Sequence, residues 1–391
     1  MMTTRKVLIL SVSAGDGHIH AAEALHAHSK EHDLAVDARH LDVMDYVPSE
    51  FRKDYIDYYF SLVNKAPNLW GNSYLDNNED RRDSGRKKVL NSIEQLNTAA
   101  LSQAIHQYAP EAIVCTHFLP AEILSRMIHS ERFKSPVWVQ VTDFDLHRLW
   151  MHDHMTGYFA ANEEVAFRMQ ATGVDAKKIR VTGIPIMPAF SQRFNREKCA
   201  QSIGLNPAIK TFLLMGGGAG LGDLATVAEN LLGLRNDFQL IVLAGKNVKA
   251  LASLKLLTEH YPKRLVPVRF TPDVAQLMAC ADVVITKPGG LTTSECLAMG
   301  LPMIINAPIP GQEERNADYL LEQGVALKAF DAVTLSYRVR YLLENPKHLQ
   351  QMTEKASQIG KPHAGKHVIT NVLGHRLWLN GERIGEVIAG L

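Results

Sequence analysis

Short runs of β-branched and aliphatic residues alternate with longer helical stretches along most of the 391-residue chain. Within these runs the apolar residues do not alternate with polar ones, which is typical of parallel strands buried on both faces and connected by helices. Six runs in each half predict an α/β protein with two doubly wound, Rossmann-like domains of similar size. The runs are residues 6–12, 35–41, 112–117, 137–143, 157–162, 179–184, 211–216, 238–245, 264–270, 282–289, 302–308 and 324–329.

The boundary between the two predicted domains lies in residues 185–194, which contain two prolines and show no helical or strand period. We therefore assign residues 1–188 to an N-terminal domain and 189–370 to a C-terminal domain. A helical tail, residues 371–391, is expected to pack on one of them, with the N-terminal domain as a candidate. Because sheets of this type bind ligands beyond the carboxyl ends of their strands, the domains are expected to face each other across a ligand-binding cleft.

Composition places the chain among ordinary soluble proteins, with 46% hydrophobic and 21% charged residues. A formal net charge of +1 provides no global field that would recruit nucleic acid. No apolar run is long enough to span a membrane. The apolar stretch near the N-terminus is short and ends in Gly-Asp-Gly, which favours a first strand over a signal peptide. Four cysteines without paired spacing indicate a reducing, cytoplasmic compartment.

A glycine-rich loop joins the first strand of the C-terminal domain to a helix. Residues 216–222 contain five glycines, Gly217 and Gly218 among them. Bare backbone amides at a helix N-terminus form a phosphate-binding cradle, although a loop that needs positive φ at one or two positions would also select glycine. The spacings of the dinucleotide fingerprint and of the P-loop are both missing here, which argues against NAD and against a P-loop nucleotide site.

A second strand-to-helix turn, Gly289–Gly290, is followed by Thr292 and Glu295. Thr292 and Glu295 have the spacing of a helix capping box. Alternatively, Glu295 accepts hydrogen bonds from two ribose hydroxyls of a nucleotide, and the spacing alone leaves both interpretations open. Gln312–Glu313 follow the next strand and offer donors and acceptors that match adjacent sugar hydroxyls. Together these features favour a sugar nucleotide as ligand.

Four segments then resemble a known family in the same order along the chain. Residues 287–317 resemble the donor-site segment of the GT-B glycosyltransferases that make monogalactosyl- and glucosyl-diacylglycerol. Residues 11–25 resemble their N-terminal glycine loop, 141–186 their central block and 216–224 their phosphate loop. The related transferase that builds the peptidoglycan lipid precursor shares this layout, but Gly311-Gln312-Glu313 looks more like the diacylglycerol enzymes.

The resemblance implies a GT-B fold and inverting transfer of glucose or galactose from a UDP-hexose to diacylglycerol or a related lipid. It implies no metal or other cofactor, and a peripheral location on the inner face of the cell membrane. His18 is the implied base, with helix capping or a phosphate contact as its alternative, and Asp143 is the rival base or a turn cap. The implied donor-binding residues are Gly17, Gly217, Gly218, Gly289, Gly290, Leu291, Thr292, Glu295, Gln312, Glu313 and Asn316.

Other interpretations stay open at this point. A UDP-sugar epimerase has the same two-domain layout, a non-catalytic sugar-nucleotide sensor would bind the same donor, and another lipid or small molecule would serve as acceptor. The cluster His147, His152, Asp153 and His154 invites a zinc site, but its spacing matches no common ligand set.

The lipid side of the prediction rests on residues 46–74, which contain eight aromatic residues, and on the basic run that follows. Aromatic residues on one helical face beside clustered cations are typical of a patch that contacts an anionic membrane. Core packing beside a solvated charged loop is the alternative. The residues predicted for membrane or acceptor contact are Tyr55, Tyr59, Trp70, Arg81, Arg82, Arg86, Lys87 and Lys88.

Overall fold

The computed structural model describes residues 4–31, 36–49, 51, 52, 55, 98–216, 224–306, 308 and 311–379. These residues divide into two compact units. The first unit holds the described residues up to Pro188 and those from His363 onward, and the second holds the described part of Ala189–Pro362. The boundaries predicted from the sequence are 188 and 370. In the structure the second unit ends at Pro362, so the chain returns to the first unit before residue 370.

The first unit is built on a parallel sheet of six strands in the order β2-β1-β3-β4-β5-β6. Its strands are β1 Arg5–Ser11, β2 Val36–Asp42, β3 Ala112–Cys115, β4 Val137–Gln140, β5 Gly157–Ala160 and β6 Ile179–Val181. Its described helices are α1 Asp16–Glu31, α2 Ala99–Tyr108, α3 Phe118–His129, α4 Glu163–Ala171 and α13 Ala364–Leu379.

Strand β1 explains why this sheet is covered on both faces. Val7 and Ile9 pack on one face with Val368 of α13, and Leu8 and Leu10 pack in the cluster on the other face. Successive side chains of a strand point to opposite faces, so an unbroken apolar run requires a helix layer on each side. The C-terminal helix therefore supplies part of the first unit's core, which is why the unit includes residues beyond His363.

The second unit repeats the architecture, with strand order β12-β11-β10-β7-β8-β9 and all pairs parallel. Its strands are β7 Thr211–Met215, β8 Gln239–Gly245, β9 Leu265–Arg269, β10 Val283–Thr286, β11 Met303–Asn306 and β12 Ala326–Ala329. Its described helices are α5 Arg196–Ser202, α6 Leu224–Leu232, α7 Val248–Leu257, α8 Val274–Cys280, α9 Gly290–Ala298, α10 Gln312–Glu322, α11 Ala332–Glu344 and α12 Pro346–Ile359. All twelve predicted strands are present, and the predicted α/β class with two Rossmann-like sheets is confirmed.

Each sheet has a point where the direction of strand addition reverses. In the first sheet this point lies between β1 and β3, and in the second it lies between β7 and β10. The loops that leave adjacent strands at such a point diverge to opposite faces, which opens a crevice at the carboxyl ends of the strands. His18 follows β1, and the Gly289–Gly290 turn follows β10, so each lies beside a reversal point. No helix in the described part of the chain has the length and hydropathy needed to cross a membrane.

Candidate active site

The turn after β10 leaves the N-terminus of α9 clear of side chains. Helix α9 begins at Gly290, with Gly289 as its N-cap residue and no side chain bonded to the cap. Gly289 has φ −66°, which any residue adopts, and a Cβ atom there would meet no atom within 4 Å. Neither backbone conformation nor packing requires glycine at 289. The bare turn leaves room for a ligand at a helix N-terminus, where backbone amides and the helix dipole favour an anion.

Glu295 lies in the second turn of α9 and has no hydrogen-bond or ion-pair partner among the described residues. Because α9 already begins at Gly290, Thr292 lies inside its first turn and the capping box does not form. The residue is partly exposed, and desolvation by the surrounding protein raises the pKa of Glu295 to about 8. A carboxyl group without a protein partner is suited to accept hydrogen bonds from a ligand or to donate one to it.

Asn316 positions this turn from the neighbouring helix. It lies in the second turn of α10, it is only 1% exposed, and its Nδ2 donates to the Pro288 carbonyl oxygen at 3.0 Å. This hydrogen bond holds the backbone that precedes Gly289. The predicted contact of Asn316 with the sugar nucleotide stays a prediction.

The loop after β11 brings Gln312–Glu313 to the N-terminus of α10, where both side chains are partly exposed. Gly311 precedes them with φ +99°, a left-handed conformation that favours glycine, and its amide donates to the Glu314 carboxylate at 3.3 Å. Strands β10 and β11 are neighbours in the sheet, so the loops that leave them lie side by side at its carboxyl edge. The remaining predicted residues of this turn divide by exposure: Leu291 is buried and Thr292 is partly exposed.

Strand β7, which precedes the glycine-rich segment, ends at this same edge of the sheet, because it pairs in parallel with β10. A Cβ atom at Gly216 would lie 2.8 Å from the Leu224 side chain, so packing alone accounts for this first glycine. Gly217 and Gly218 lie outside the described residues, and their phosphate role stays a prediction.

His18 lies in the first turn of α1, directly beyond β1, and is 8% exposed. Its Nδ1 atom lies 3.0 Å from the Thr116 carbonyl oxygen and 3.0 Å from the Thr142 hydroxyl oxygen. A carbonyl oxygen only accepts, so we assign the proton of the neutral ring to Nδ1. Nε2 then carries a lone pair, and it has no hydrogen-bond partner among the described residues.

Burial lowers the pKa of His18 to about 4, although the hydrogen bond from its ring to Thr116 partly opposes this shift. An exposed histidine has a pKa near 6.5, and the value for His18 is lower because its ring is desolvated. At neutral pH the imidazole is therefore uncharged and able to accept a proton.

The other first-unit candidates lie nearby along the chain. Gly17 precedes His18 in the first turn of α1. Asp143 follows Thr142 in the segment after β4 and is buried, with 2% exposure. Thr142 thus links the two candidate bases, since its hydroxyl contacts His18 and its backbone continues into Asp143.

A cluster of buried rings surrounds His18, and the sequence did not predict it. The His117 ring packs edge-on against His18 with centroids 4.4 Å apart, and the Trp150 ring centroid lies 6.1 Å from that of His18. His117 caps α3, because its Nδ1 accepts the Leu119 amide at 3.0 Å. A histidine directly before a predicted helix was the signal available for this cap; nothing local identified Trp150.

Most of the residues predicted for membrane contact fall outside the described part of the chain. These are Tyr59, Trp70, Arg81, Arg82, Arg86, Lys87 and Lys88. Tyr55 is described, and it is 6% exposed, stacked on Phe51 with a centroid distance of 5.7 Å. Its ring belongs to the first unit's core cluster, so a role on an exposed membrane face is wrong for this residue.

One residue of the set considered for zinc, His152, pairs with a carboxylate. His152 Nδ1 lies 2.8 Å from Glu122 Oε2, and this hydrogen bond is the main reason that the pKa of Glu122 falls to about 2. Within the described part of the chain, no cluster of three His, Cys, Asp or Glu side chains is placed to hold a metal ion.

Comparison with known proteins assigns each half of the chain. Residues 18–186 match the monogalactosyldiacylglycerol (MGDG) synthase family, and residues 211–368 match the glycosyltransferase family 28 C-terminal domain. A processive diacylglycerol beta-glucosyltransferase of Bacillus licheniformis is 26% identical over 379 residues, covering 95% of this chain and 96% of the relative.

Solved structures support the fold. Acinetobacter baumannii MurG has a TM-score of 0.60 at 15% identity, covering 95% of this chain and 99% of that one. A UDP-GlcNAc 2-epimerase from Neisseria meningitidis, solved bound to UDP-GlcNAc, has a TM-score of 0.58 at 13% identity, with 94% and 100% covered. At these identities the two structures establish the shared fold, and the two family matches establish the class. The chain is a glycosyltransferase whose residues 18–186 match the monogalactosyldiacylglycerol synthase family and whose residues 211–368 match the family 28 C-terminal domain.

Proposed function

We propose that the protein transfers a hexose, glucose or galactose, from a UDP-sugar to the free hydroxyl of diacylglycerol, with inversion at the anomeric carbon. The acceptor places the enzyme on the inner surface of the cell membrane as a peripheral protein. The relative from Bacillus licheniformis is a processive diacylglycerol beta-glucosyltransferase, and its similarity extends over nearly the whole chain, which supports this proposal.

The observation that carries the proposal is Glu295, which lies in the second turn of the helix after the bare Gly289 turn and has no hydrogen-bond or ion-pair partner among the described residues. A diphosphate at the N-terminus of α9 would meet free amides and the positive end of the helix dipole. The ribose of the same nucleotide would then contact the Glu295 carboxyl. Among the described residues, no protein group forms a hydrogen bond or ion pair with this carboxyl. Gln312 and Glu313, at the next strand end, would bind the hexose hydroxyls.

The chemical step follows from these groups. The acceptor oxygen forms a bond to the anomeric carbon while the bond from that carbon to the diphosphate oxygen breaks, and the electron pair leaves with UDP. His18 Nε2 takes the hydroxyl proton. A neutral imidazole whose pKa is about 4 accepts this proton late, once bond formation has made the hydroxyl strongly acidic.

Stabilisation of the leaving group needs no metal ion in this proposal. Negative charge that develops on the departing diphosphate is met by the amides at the start of α9, which are already oriented before the reaction begins. Gly217 and Gly218 would add amides from the neighbouring strand end. We therefore expect donor turnover to be unaffected by EDTA.

The test is an assay of UDP-glucose and UDP-galactose, each supplied separately with diacylglycerol vesicles, with products identified by mass spectrometry and chromatography. Formation of a hexosyl-diacylglycerol together with UDP supports the proposal, and the preferred donor identifies the sugar. Conversion of UDP-GlcNAc to its epimer without any lipid would instead assign the epimerase activity. Binding of UDP-hexose without turnover on any acceptor would assign a sensor.

Replacing His18 tests the assigned base. His18→Gln removes the ring nitrogen and keeps a hydrogen-bonding side chain at the same position. We expect turnover to fall by about 10²–10⁴-fold while UDP binding, measured by calorimetry, stays within about threefold. Retained turnover would transfer the base role to Asp143.

A further inference from the structure

We propose that the second unit has its own contact with an anionic lipid surface, formed by Phe330, Val333 and Tyr337, here called the α11 patch. The inference deepens the proposed function, since it gives the donor-binding unit a direct hold on the membrane that contains the acceptor. It concerns residues that none of the sequence motifs included.

The patch consists of large apolar side chains that the protein leaves in solvent. Phe330 is 74% exposed, Val333 is 77% exposed and Tyr337 is 48% exposed. Val333 and Tyr337 are four residues apart on the outer face of α11, whose inner face is buried through Leu335 and Val339. Apolar residues scattered singly are common on protein surfaces, whereas contiguous apolar patches mark interaction sites. We infer that these three residues, close together in the sequence at the start of α11, form such a patch.

The element that carries the patch is held firmly. The amide of Phe330 donates to the Thr334 hydroxyl at 2.9 Å, and the Asp331 carboxylate accepts the Thr334 amide at 2.7 Å. These bonds fix the start of α11 and the position of Phe330 before it. The aromatic side chains are therefore presented by an ordered helix N-terminus.

Cations border the patch and determine its partner. Lys328 Nζ lies 5.4 Å from the Phe330 ring centroid, and the guanidinium groups of Arg338 and Arg340 lie 5.5 Å and 5.9 Å from that of Tyr337. Among the described residues, Lys328 and Arg338 have no ion-pair partner, while Arg340 has a long contact of 4.0 Å with Glu344.

Aromatic side chains bordered by such cations fit an interface between hydrocarbon and anionic headgroups. The rings would enter the headgroup region while the long basic side chains extend to the phosphates. A protein partner of opposite charge is the competing occupant, and the test separates the two.

The location of the patch relates it to catalysis. Phe330 directly follows β12, so it lies at the carboxyl edge of the second sheet, the edge where Gly289 and Gly311 lie. In the strand order β12-β11-β10, two strand spacings separate β12 from β10, roughly 10 Å. A membrane in contact with the patch would lie beside the predicted donor turn.

The experiment measures sedimentation of the full chain with phosphatidylcholine vesicles that contain or lack phosphatidylglycerol. The triple variant Phe330→Ser, Val333→Ser, Tyr337→Ser should bind anionic vesicles at least about tenfold more weakly than the unmodified protein. A second variant should bind anionic vesicles more weakly by roughly fivefold per cation removed; it combines Lys328→Gln, Arg338→Gln and Arg340→Gln. Added salt should abolish the difference between this variant and the unmodified protein.

The matched control is Phe167→Ser, since Phe167 is 71% exposed but lies on α4 of the first unit, and its binding should equal that of the unmodified protein. A second readout is direct insertion: in Phe330→Trp the added fluorescence should be quenched by brominated lipid, and in Phe167→Trp it should not. Equal vesicle binding by the triple variant, unquenched Phe330→Trp, or equal binding to neutral and anionic vesicles would each overturn the proposal.

An activity assay with a monomeric short-chain diacylglycerol as acceptor tests the proposed function independently of the α11 patch. We expect the triple variant to retain the activity of the unmodified protein on this acceptor, because no membrane is needed. If the unmodified protein transfers sugar to neither acceptor, the proposed function fails, and the vesicle data still decide whether the patch binds lipid.

Discussion

Single side chains determine how the protein should respond to pH, and Glu295 gives the clearest case. Its pKa is raised to about 8 by burial, against about 4.5 in an unfolded chain. Between these values the unfolded state loses its proton while the folded state keeps it, so this group lowers stability progressively as pH rises from about 4.5 to about 8.

Glu295→Gln should therefore leave stability unchanged at pH 4 and increase it at pH 8.5 by on the order of 1–3 kcal/mol in the absence of nucleotide. Urea unfolding at the two pH values measures this difference. The same variant should bind UDP about 10–100-fold more weakly, because a buried contact with the ribose is lost. Equal stability at both pH values together with unchanged UDP affinity would contradict the account of this residue.

His18 determines how activity, rather than stability, should depend on pH. Because its folded pKa is lowered to about 4, the ring stays neutral well below the pH at which an exposed histidine takes a proton. We expect kcat/KM for transfer to keep its neutral-pH value down to about pH 5 and to fall only as pH approaches 4. Assays of a few minutes, with fluorescence as a control for folding, measure this limb. Loss of activity around pH 6.5 would show that another group, or a solvated His18, is the base.

Substitution of Gly289 tests whether this glycine is required by the ligand or by the protein structure. Gly289→Ser places a good N-cap residue where nothing lies within 4 Å of the new Cβ, so the free energy of unfolding should change by less than about 0.5 kcal/mol. The side chain would occupy the space assigned to the diphosphate, and the donor KM should rise at least about tenfold.

Gly300→Ser is the matched control for this substitution. Gly300 has φ +68° and its Cβ would overlap the Ser357 hydroxyl, so this change should cost about 1–3 kcal/mol of stability and leave the donor KM unchanged. If Gly289→Ser binds donor normally, the bare turn does not hold the diphosphate.

At the scale of secondary-structure elements, α10 supports the donor turn through one side chain. Asn316→Ala would leave the Pro288 carbonyl without the 3.0 Å hydrogen bond it accepts from Nδ2. We expect a loss of about 1–3 kcal/mol in stability and a several-fold rise in the donor KM, with kcat nearly unchanged. Asn316→Asp, which removes the donor but keeps the shape, should give the same result. Normal stability in both variants would show that the turn holds itself.

The sequence predicted elements better than their ends. The strands were predictable because an unalternated apolar run between helices is typical of a strand buried on both faces. The start of α9 was not predictable, since Thr292 and Glu295 have capping-box spacing while the helix begins at Gly290. Where a helix begins depends on the preceding strand and turn, and here Gly289 is the N-cap residue.

The ring cluster around His18 illustrates a second limit of the sequence. His117 follows β3 and Trp150 lies in the segment after β4, and they reach His18 only because β1, β3 and β4 are adjacent in the sheet. Adjacent carboxyl ends of parallel strands bring such residues together, and the strand order is not written in any local pattern. Tyr55 shows the reverse case, because a helical face of aromatic residues fits a core as well as a membrane.

At the scale of the whole molecule, the two units contain different parts of the proposed reaction. The first holds a neutral histidine at its strand reversal point, and the second holds an unpartnered carboxyl group and a bare glycine turn at its own. The family matches divide the chain in the same way, with residues 18–186 in one family and 211–368 in the other. The resemblance seen in four sequence segments therefore extends over both units.

The structure of the protein with UDP bound tests this account most directly. We expect the diphosphate at the N-terminus of α9 beside Gly289 and Gly290, with both ribose hydroxyls within hydrogen-bonding distance of the Glu295 carboxyl. A nucleotide bound at the first unit's reversal point, or one whose ribose makes no contact with Glu295, would contradict it.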